Sequence, residues 1–309
     1  MKICVMGAGG LGGFFGGWLA DAGEEVSFVA RGDHLRAMQA NGLTVRSALG
    51  DRTVSPVRAT DDPGVIGPVD VVLFCVKTYH LEEAAPRCRP LLGPETAVIS
   101  VLNGVEAPER LGAILGPAHV VPGLTYVPAA IAAPGVIEHK GDAAGLVFGE
   151  ADGRESPRLL AFRDACRGAG IDARIEPDIM AALWTKLVLW CGTSGVTSFA
   201  RSPFGAVRSS AEMREIYAAL VAEAAAVARA RGIALPRSVE ADLLARLDAM
   251  PAEATSSTHR DLENGRPLEL DAGLGAIVRL GREAGVATPM SARVLAALVA
   301  FAAGDSSRA

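Results

Sequence analysis

The chain has 309 residues, half of them hydrophobic and 21% charged, which suits two domains of ordinary size with a large core and argues against disorder except at the ends. Thirty basic and 35 acidic residues give a net charge of −5 without any basic block, which argues against a nucleic-acid partner. No apolar run reaches the ~18 residues of a membrane span, the N-terminal MKICVMG turns to glycine too soon for a signal peptide, and the scattered cysteines and histidines show no CxxC or HxxxH pair, so a cytoplasmic protein with no membrane partner, disulfide framework or metal site is expected.

Taken in chain order, KICVMG is a short β-rich run that leads through glycines into a helical stretch, GGFFGGWLADAG, closing on Gly23. The junction reads Gly7-Ala8-Gly9-Gly10-Leu11-Gly12, a G-x-G-x-x-G between strand and helix. Gly7 allows a tight turn, Gly9 lets backbone approach a pyrophosphate, and Gly12 lets helix and strand pack closely. The helix N-terminus then turns its partial positive charge toward the phosphates. Dinucleotide binding is predicted; glycines serving an ordinary turn are the competing reading.

A second strand, EEVSFVAR, ends where NAD-binding sheets usually present an acid to the ribose 2′-hydroxyl, and Arg31 stands there instead. A guanidinium can grip a 2′-phosphate through paired charge-assisted hydrogen bonds, so NADPH is the expected cofactor, with Asp33 two residues on keeping NAD open. HLRAMQANG is helical, and LTVRSA and RTVSPVRAT read as hairpin strands. VDVVLFCVK, residues 69–77, is apolar from Val71 to Val76, as a central parallel strand covered on both faces should be, and ETAVISVLNG repeats the design. Lys77 and Asn103 each stand where one of these strands ends, the side of an open α/β sheet that lines the ligand crevice. A solvated strand end and an Asn-Gly turn are their plain alternatives. HVVPGLTYVPAAI, GVIEHKG and GLVFGE read as strands extending the sheet edge. Residues 1–176 are thus expected to form a Rossmann-type, doubly wound parallel sheet.

From 177 to 309 strand signals give way to an all-helical domain. ALWTKLVLWCGTSG, residues 182–195, contains one charge, Lys186, and no acid to pair with it. Burying an ammonium is costly, so it must reach water or a partner. Helical spacing puts Lys186, Trp190 and Ser194 on one slowly winding stripe. Facing a crevice, the lysine could protonate a carbonyl oxygen as hydride reaches the carbon; otherwise its stem packs on Trp184 or Trp190 while its charge reaches solvent. AEMREIYAALVAEAAAVARARG is a long helix ending at Gly232, Ser238 caps the next, and the stretches from 252, 267 and 291 show helical spacing before a loose GDSSRA tail. The alanine-rich helices at 211–231 and 291–303 offer an apolar face for a homodimer, unless their own core consumes it.

GAGGLG, the second-strand RG, VK ending a later strand, LNGVE, LWTKLVLW, TSSTHRDLENGRPLELD and the closing GVATPM together resemble the ketopantoate reductase family, in order along nearly the whole chain. The resemblance implies an N-terminal Rossmann domain, a helical C-terminal domain, and a site between them using NADPH to reduce a small-molecule 2-oxo acid to a 2-hydroxy acid. The reaction so implied is 2-dehydropantoate (ketopantoate) to pantoate in pantothenate biosynthesis. It places Lys186 as the catalytic lysine, Asn103 as the residue orienting substrate and nicotinamide, Glu269 on the substrate hydroxyl and Ser257 near the substrate carboxylate. Ser194 is a familiar variant eight residues after the lysine, but Trp190 replaces the usual asparagine four after it. That departure leaves open a related 2-hydroxyacid dehydrogenase with another 2-oxo acid, or a β-hydroxyacid dehydrogenase relative. A nucleotide-sensing protein that binds NADPH without chemistry is the alternative of a different class.

Overall fold

Side chains alternate across a strand, so strands that are apolar at every position require cover on both faces. The computed structural model describes residues 1–305. They fall into two compact units, one of Met1–Leu102 with Ala107–Ile179, the other of Asn103–Glu106 with the chain from Met180 onward. In the first unit the elements run β1 (Lys2–Met6), α1 (Gly10–Asp21), β2 (Glu25–Val29), α2 (Gly32–Asn41), β3 (Leu43–Ser47), β4 (Arg52–Val54), β5 (Arg58–Thr60), β6 (Val69–Phe74), α3 (Leu81–Ala84), β7 (Leu92–Ser100), α4 (Ala107–Leu115), β8 (Val120–Thr125), β9 (Ala129–Ala133), β10 (Val136–His139), β11 (Gly145–Phe148), α5 (Pro157–Gly168) and β12 (Asp172–Ile175).

Eight strands form the main sheet in the order β12-β11-β8-β7-β6-β1-β2-β5. From β5 through β8 all neighbours are parallel, while β11 pairs antiparallel with β8. The chain leaves β1 toward β2 and then returns to β6 on its other side, so the order reverses at β1, the point where such sheets bind ligands. The alternation is read directly in the cores. Ile3, Val5, Val71, Leu73 and Ile99 face one side with Phe15 of α1 and Phe162 of α5. Cys4, Met6, Val72, Phe74 and Val98 face the other with Leu81 of α3 and Leu111 of α4.

Not all expected edge strands join this sheet. β8 and β11 do, but β9 and β10 form a separate four-stranded sheet with β3 and β4, in the order β4-β3-β10-β9. RTVSPVRAT likewise splits, β4 pairing with β3 as a hairpin and β5 extending the main sheet beside β2. The small sheet covers the outer face of α1, and the glycines of that helix show why it can. A Cβ on Gly12 would lie 2.7 Å from Val5 and one on Gly16 2.5 Å from Phe28, both on the main sheet; a Cβ on Gly13 would lie 2.6 Å from Ile137 and one on Gly17 2.8 Å from Val45, both on the small one. The helix is squeezed between two sheets, and any side chain at these positions would push one layer away.

The second unit is built from α6 (Ile179–Ala200), α7 (Phe204–Ser209), α8 (Ala211–Ala230), α9 (Val239–Ala249), α10 (Ser257–Glu263), a single π-helical turn at Asp271–Gly275, α11 (Ala276–Glu283) and α12 (Pro289–Leu298). α6 is long and apolar enough to cross a membrane by length and composition, yet 67% of its apolar window is buried inside the protein, which is the behaviour of a core helix. Its Gly192 and Gly195 admit α8: a Cβ there would lie 2.7 Å from Val221 and 2.6 Å from Leu220. α8 closes before Gly232, at φ +80°, as its C-terminal signal requires. Ser238 occupies the N-cap position of α9 but makes no capping bond; its hydroxyl donates to Asp242 at 2.8 Å. Of the expected loose tail, Gly304 and Asp305 are tied down, the Asp305 amide donating to the Gly265 carbonyl at 2.8 Å, while residues 306–309 lie outside the described residues.

Candidate active site

In the first unit the strand-to-helix junction has the shape its glycines require. Gly7 sits at φ +96°, and the amides of Gly7 and Ala8 donate to the Val29 carbonyl at 3.2 and 3.0 Å, so the turn is pinned to β2. Gly9 is the N-cap of α1, and a Cβ there would meet nothing within 4 Å, leaving open space at the helix N-terminus. The helical geometry leaves the first-turn amides of Gly10, Leu11 and Gly12 without intrahelical partners, aimed where a diphosphate would be held. Gly10 has a packing role as well: a Cβ would fall 2.2 Å from the Ala129 carbonyl oxygen. Arg31 follows β2 as the N-cap residue of α2 with its side chain half exposed, and its guanidinium donates to Glu83 on α3 at 2.7 Å. Lys77 is exposed where β6 gives way to a 3₁₀ turn at Thr78–His80. Open space at Gly9 and free first-turn amides fit the diphosphate of a dinucleotide.

In the second unit the structure brings together Lys186, Asn103 and Glu269. The Lys186 ammonium donates to the Asn103 side-chain oxygen at 3.0 Å, and the Asn103 amide donates to Oε2 of Glu269 at 3.2 Å. Lys186 comes from the middle of α6, Glu269 from the residues just before the π turn, and Asn103 from the four-residue segment that belongs to this unit although it follows β7 in sequence. Gly104 makes that insertion feasible: it sits at φ +89°, and a Cβ would lie 2.8 Å from the Ala272 carbonyl oxygen. The segment is held again by Arg279, whose guanidinium donates to Glu106 at 2.6 Å.

Burial lowers the Lys186 pKa to about 8, and the Glu269 charge opposes that shift. A shift of this size represents about 3 kcal/mol against the charged form, net of the opposing Glu269 charge. The amine is half-buried and hydrogen-bonded to Asn103. It is an ammonium held near the pH at which it can give up its proton, aligned by an amide that is itself fixed by a carboxylate.

Trp190 and Ser194 lie along the same face of α6 and line a small cavity of about 20 Å³ together with Thr258, Glu269, Gly273 and Leu274. Trp190 Nε1 and Ser194 Oγ are both buried without a hydrogen-bond partner. The tryptophan has a counterpart that sequence reasoning missed. Gly273, bent out of helical geometry at φ −99°, ψ −107°, lies under its ring, and a Cβ there would be 3.2 Å from Cζ3. No local pattern ties these positions, which are far apart in sequence and meet only through the fold. Ser257 is the first residue of α10 and is exposed; its neighbour Ser256 is buried, accepts from the His259 amide and hydrogen-bonds Thr197 at 2.8 Å. The serine pair thus divides its work, one hydroxyl for the fold and one facing outward.

The family model described as ketopantoate reductase PanE/ApbA matches residues 3–153, and its C-terminal counterpart matches residues 178–302. A 2-dehydropantoate 2-reductase of Mesorhizobium japonicum is 32% identical, with 96% of each chain covered. The crystal structure of a PanE/ApbA family ketopantoate reductase from Ralstonia eutropha superposes with a TM-score of 0.90 at 32% identity, covering 97% of this chain and 98% of that one. A D-mandelate dehydrogenase solved with NADH and anilino(oxo)acetate has the same fold, with a TM-score of 0.88 at 22% identity and coverage of 97% and 98%. Two matched halves that between them span the glycine loop, Asn103, Lys186 and Glu269, together with relatives alike along nearly their whole length, establish that the chain belongs to the ketopantoate reductase family, oxidoreductases acting on CH–OH groups with a nicotinamide cofactor.

Proposed function

We propose that this chain reduces a 2-oxo acid to the corresponding 2-hydroxy acid with NADPH, and that its substrate is 2-dehydropantoate, as the names of its relatives suggest. The observation that carries the proposal is the Lys186–Asn103–Glu269 chain, a half-buried ammonium hydrogen-bonded through an amide to a carboxylate. In this reading the first unit, expected over residues 1–176, holds the cofactor, and the helical unit from 177 on holds the substrate. Gly7 to Gly12 would receive the pyrophosphate, Arg31 and Lys77 the 2′-phosphate and adjoining groups, and NADPH when bound supplies the hydride.

The chain's own residues do the rest. Lys186 stabilises the growing charge on the carbonyl oxygen and donates its proton there. Asn103 holds the ammonium and orients the substrate, Glu269 accepts from a substrate hydroxyl while fixing Asn103, and the exposed Ser257 hydroxyl binds the carboxylate. Lys186→Ala should lower kcat by about 10²- to 10⁴-fold and leave the Kd for NADPH nearly unchanged. Normal turnover in that variant would reject the role.

Trp190 favours a second reading, a related 2-hydroxyacid dehydrogenase with a different 2-oxo acid, because Gly273 accommodates the indole where family members carry an amide. NADPH oxidation across a panel of 2-oxo acids that includes 2-dehydropantoate separates the two. Tight NADPH binding with no turnover on any of them would instead indicate a sensor. A homodimer through the helical unit would have to use exposed residues such as Val299 and Phe301, since Tyr217, Leu220 and Val221 of α8 are fully buried in their own core; mass in solution tests it.

A further inference from the structure

Arg31 lies just beyond the end of β2, and Glu83 lies on α3, just beyond the end of β6. In the sheet β1 separates those two strands, so a contact between the residues must pass over the end of β1, where the glycine loop begins. Such a contact exists. Arg31 Nη1 donates to Glu83 Oε1 at 2.7 Å, and His80 Nδ1 lies 3.3 Å from the other carboxylate oxygen. The ion pair therefore spans the slot between the two strand ends that a sheet of this order offers to the adenosine half of a dinucleotide.

Resting on the NADPH reading above, we propose that Glu83 is a specificity-determining residue: it supplies in space the acid that β2 lacks in sequence, and it sets how strongly Arg31 prefers a 2′-phosphate over a 2′-hydroxyl. With NADPH the phosphate and the carboxylate compete for one guanidinium and repel each other. With NADH the carboxylate can accept a ribose hydroxyl and keeps its arginine. Both side chains are about half exposed, at 53% and 52%, so the pair is weak and yields to a phosphate without blocking it. Its effect is to narrow the gap between the two cofactors. The Arg31 guanidinium already holds the Glu83 carboxyl below the usual carboxylate range, so the acid is charged whenever a cofactor arrives at neutral pH.

Adjacent Glu82 provides the control. It has the same charge on the same short helix, but it is engaged by Arg110, whose Nε donates to it at 2.8 Å. Calorimetric Kd values for NADPH, NADH and adenosine 2′,5′-bisphosphate should be measured on the full chain for wild type, Glu83→Gln, Glu82→Gln and Arg31→Ala. Glu83→Gln is expected to tighten NADPH and the bisphosphate relative to NADH by about three- to tenfold, while Glu82→Gln leaves the ratio within about twofold. An unchanged ratio in Glu83→Gln, or an equal shift in Glu82→Gln, overturns the inference alone, provided that Arg31→Ala removes the NADPH preference. If Arg31→Ala leaves the NADPH-to-NADH ratio as it was, the assignment of Arg31 to the 2′-phosphate falls as well.

Discussion

The general-acid role proposed for Lys186 requires its proton, and burial has moved its pKa from the ordinary lysine value down to about 8. Reduction should therefore be independent of pH below that value and decline above it as the ammonium is lost. Glu269 holds the pKa up, so Glu269→Gln, which keeps the shape and removes the charge, should bring the decline to lower pH as well as weakening substrate binding. A pH–kcat profile in the reductive direction checks both, and a limb that stays in place in Glu269→Gln would mean that the carboxylate does not act on the amine. Lys186 could be found in the sequence because a lone charge in an apolar helix demands a reason. Asn103 could be suspected because it ends a buried strand. Glu269 and Ser257 had no such signal, being an acid and a hydroxyl among many, and only the resemblance to a family marked them. Glu83 was invisible for another reason: its partner is 52 residues away in sequence, on a different helix.

Elements were legible where one pattern governs one element. The central strands could be read from their apolar runs, Val71–Phe74 and Ala97–Ile99, and α8 from its spacing and terminal Gly232. The small sheet was not, because strands covered by one helix and strands inserted into a larger sheet look alike along the chain. What distinguished them was the paired glycines of α1, which record a helix pressed from both sides. α12 shows the same dependence on distant residues. It begins with Pro289, and Thr288 before it makes no side-chain cap, so its first-turn amides need an acceptor from elsewhere. Glu223 of α8 provides it, accepting from the Met290 and Ser291 amides at 2.7 and 2.8 Å and from the Ser291 hydroxyl at 2.7 Å. Glu223→Ala should destabilise the helical unit by about 1–3 kcal/mol, and Glu223→Gln by less, since an amide oxygen can still accept. Denaturant melts measure the loss. NADPH affinity should not change, because the cofactor contacts proposed above belong to the other unit.

At the scale of the whole molecule the two units are not two consecutive lengths of chain. Asn103–Glu106 belong to the helical unit while being flanked on both sides by the sheet unit, so the boundary is crossed three times. A single break near residue 177, as chain order suggests, overlooks this because nothing in the composition of LNGVE separates it from the strand it follows. The consequence is chemical. Asn103, which accepts from the lysine, sits in a segment flanked in sequence by the sheet unit, and Gly104 is the point where that segment approaches the backbone at Ala272 too closely for a side chain. Gly104→Ala would combine an unfavourable left-handed backbone with a Cβ 2.8 Å from the Ala272 carbonyl oxygen, a cost of about 1–3 kcal/mol borne by the loop. The loop should relieve it by withdrawing, taking the Asn103 amide away from both Lys186 and Glu269. The expected phenotype is a kcat lowered by about tenfold or more, with far-ultraviolet circular dichroism preserved and the Kd unchanged for adenosine 2′,5′-bisphosphate, which lacks the nicotinamide that Asn103 orients, since neither the glycine loop nor any helix has been touched. Equal loss of cofactor binding and turnover would show instead that the segment serves the fold of the sheet unit, and that the alignment of Lys186 does not depend on it.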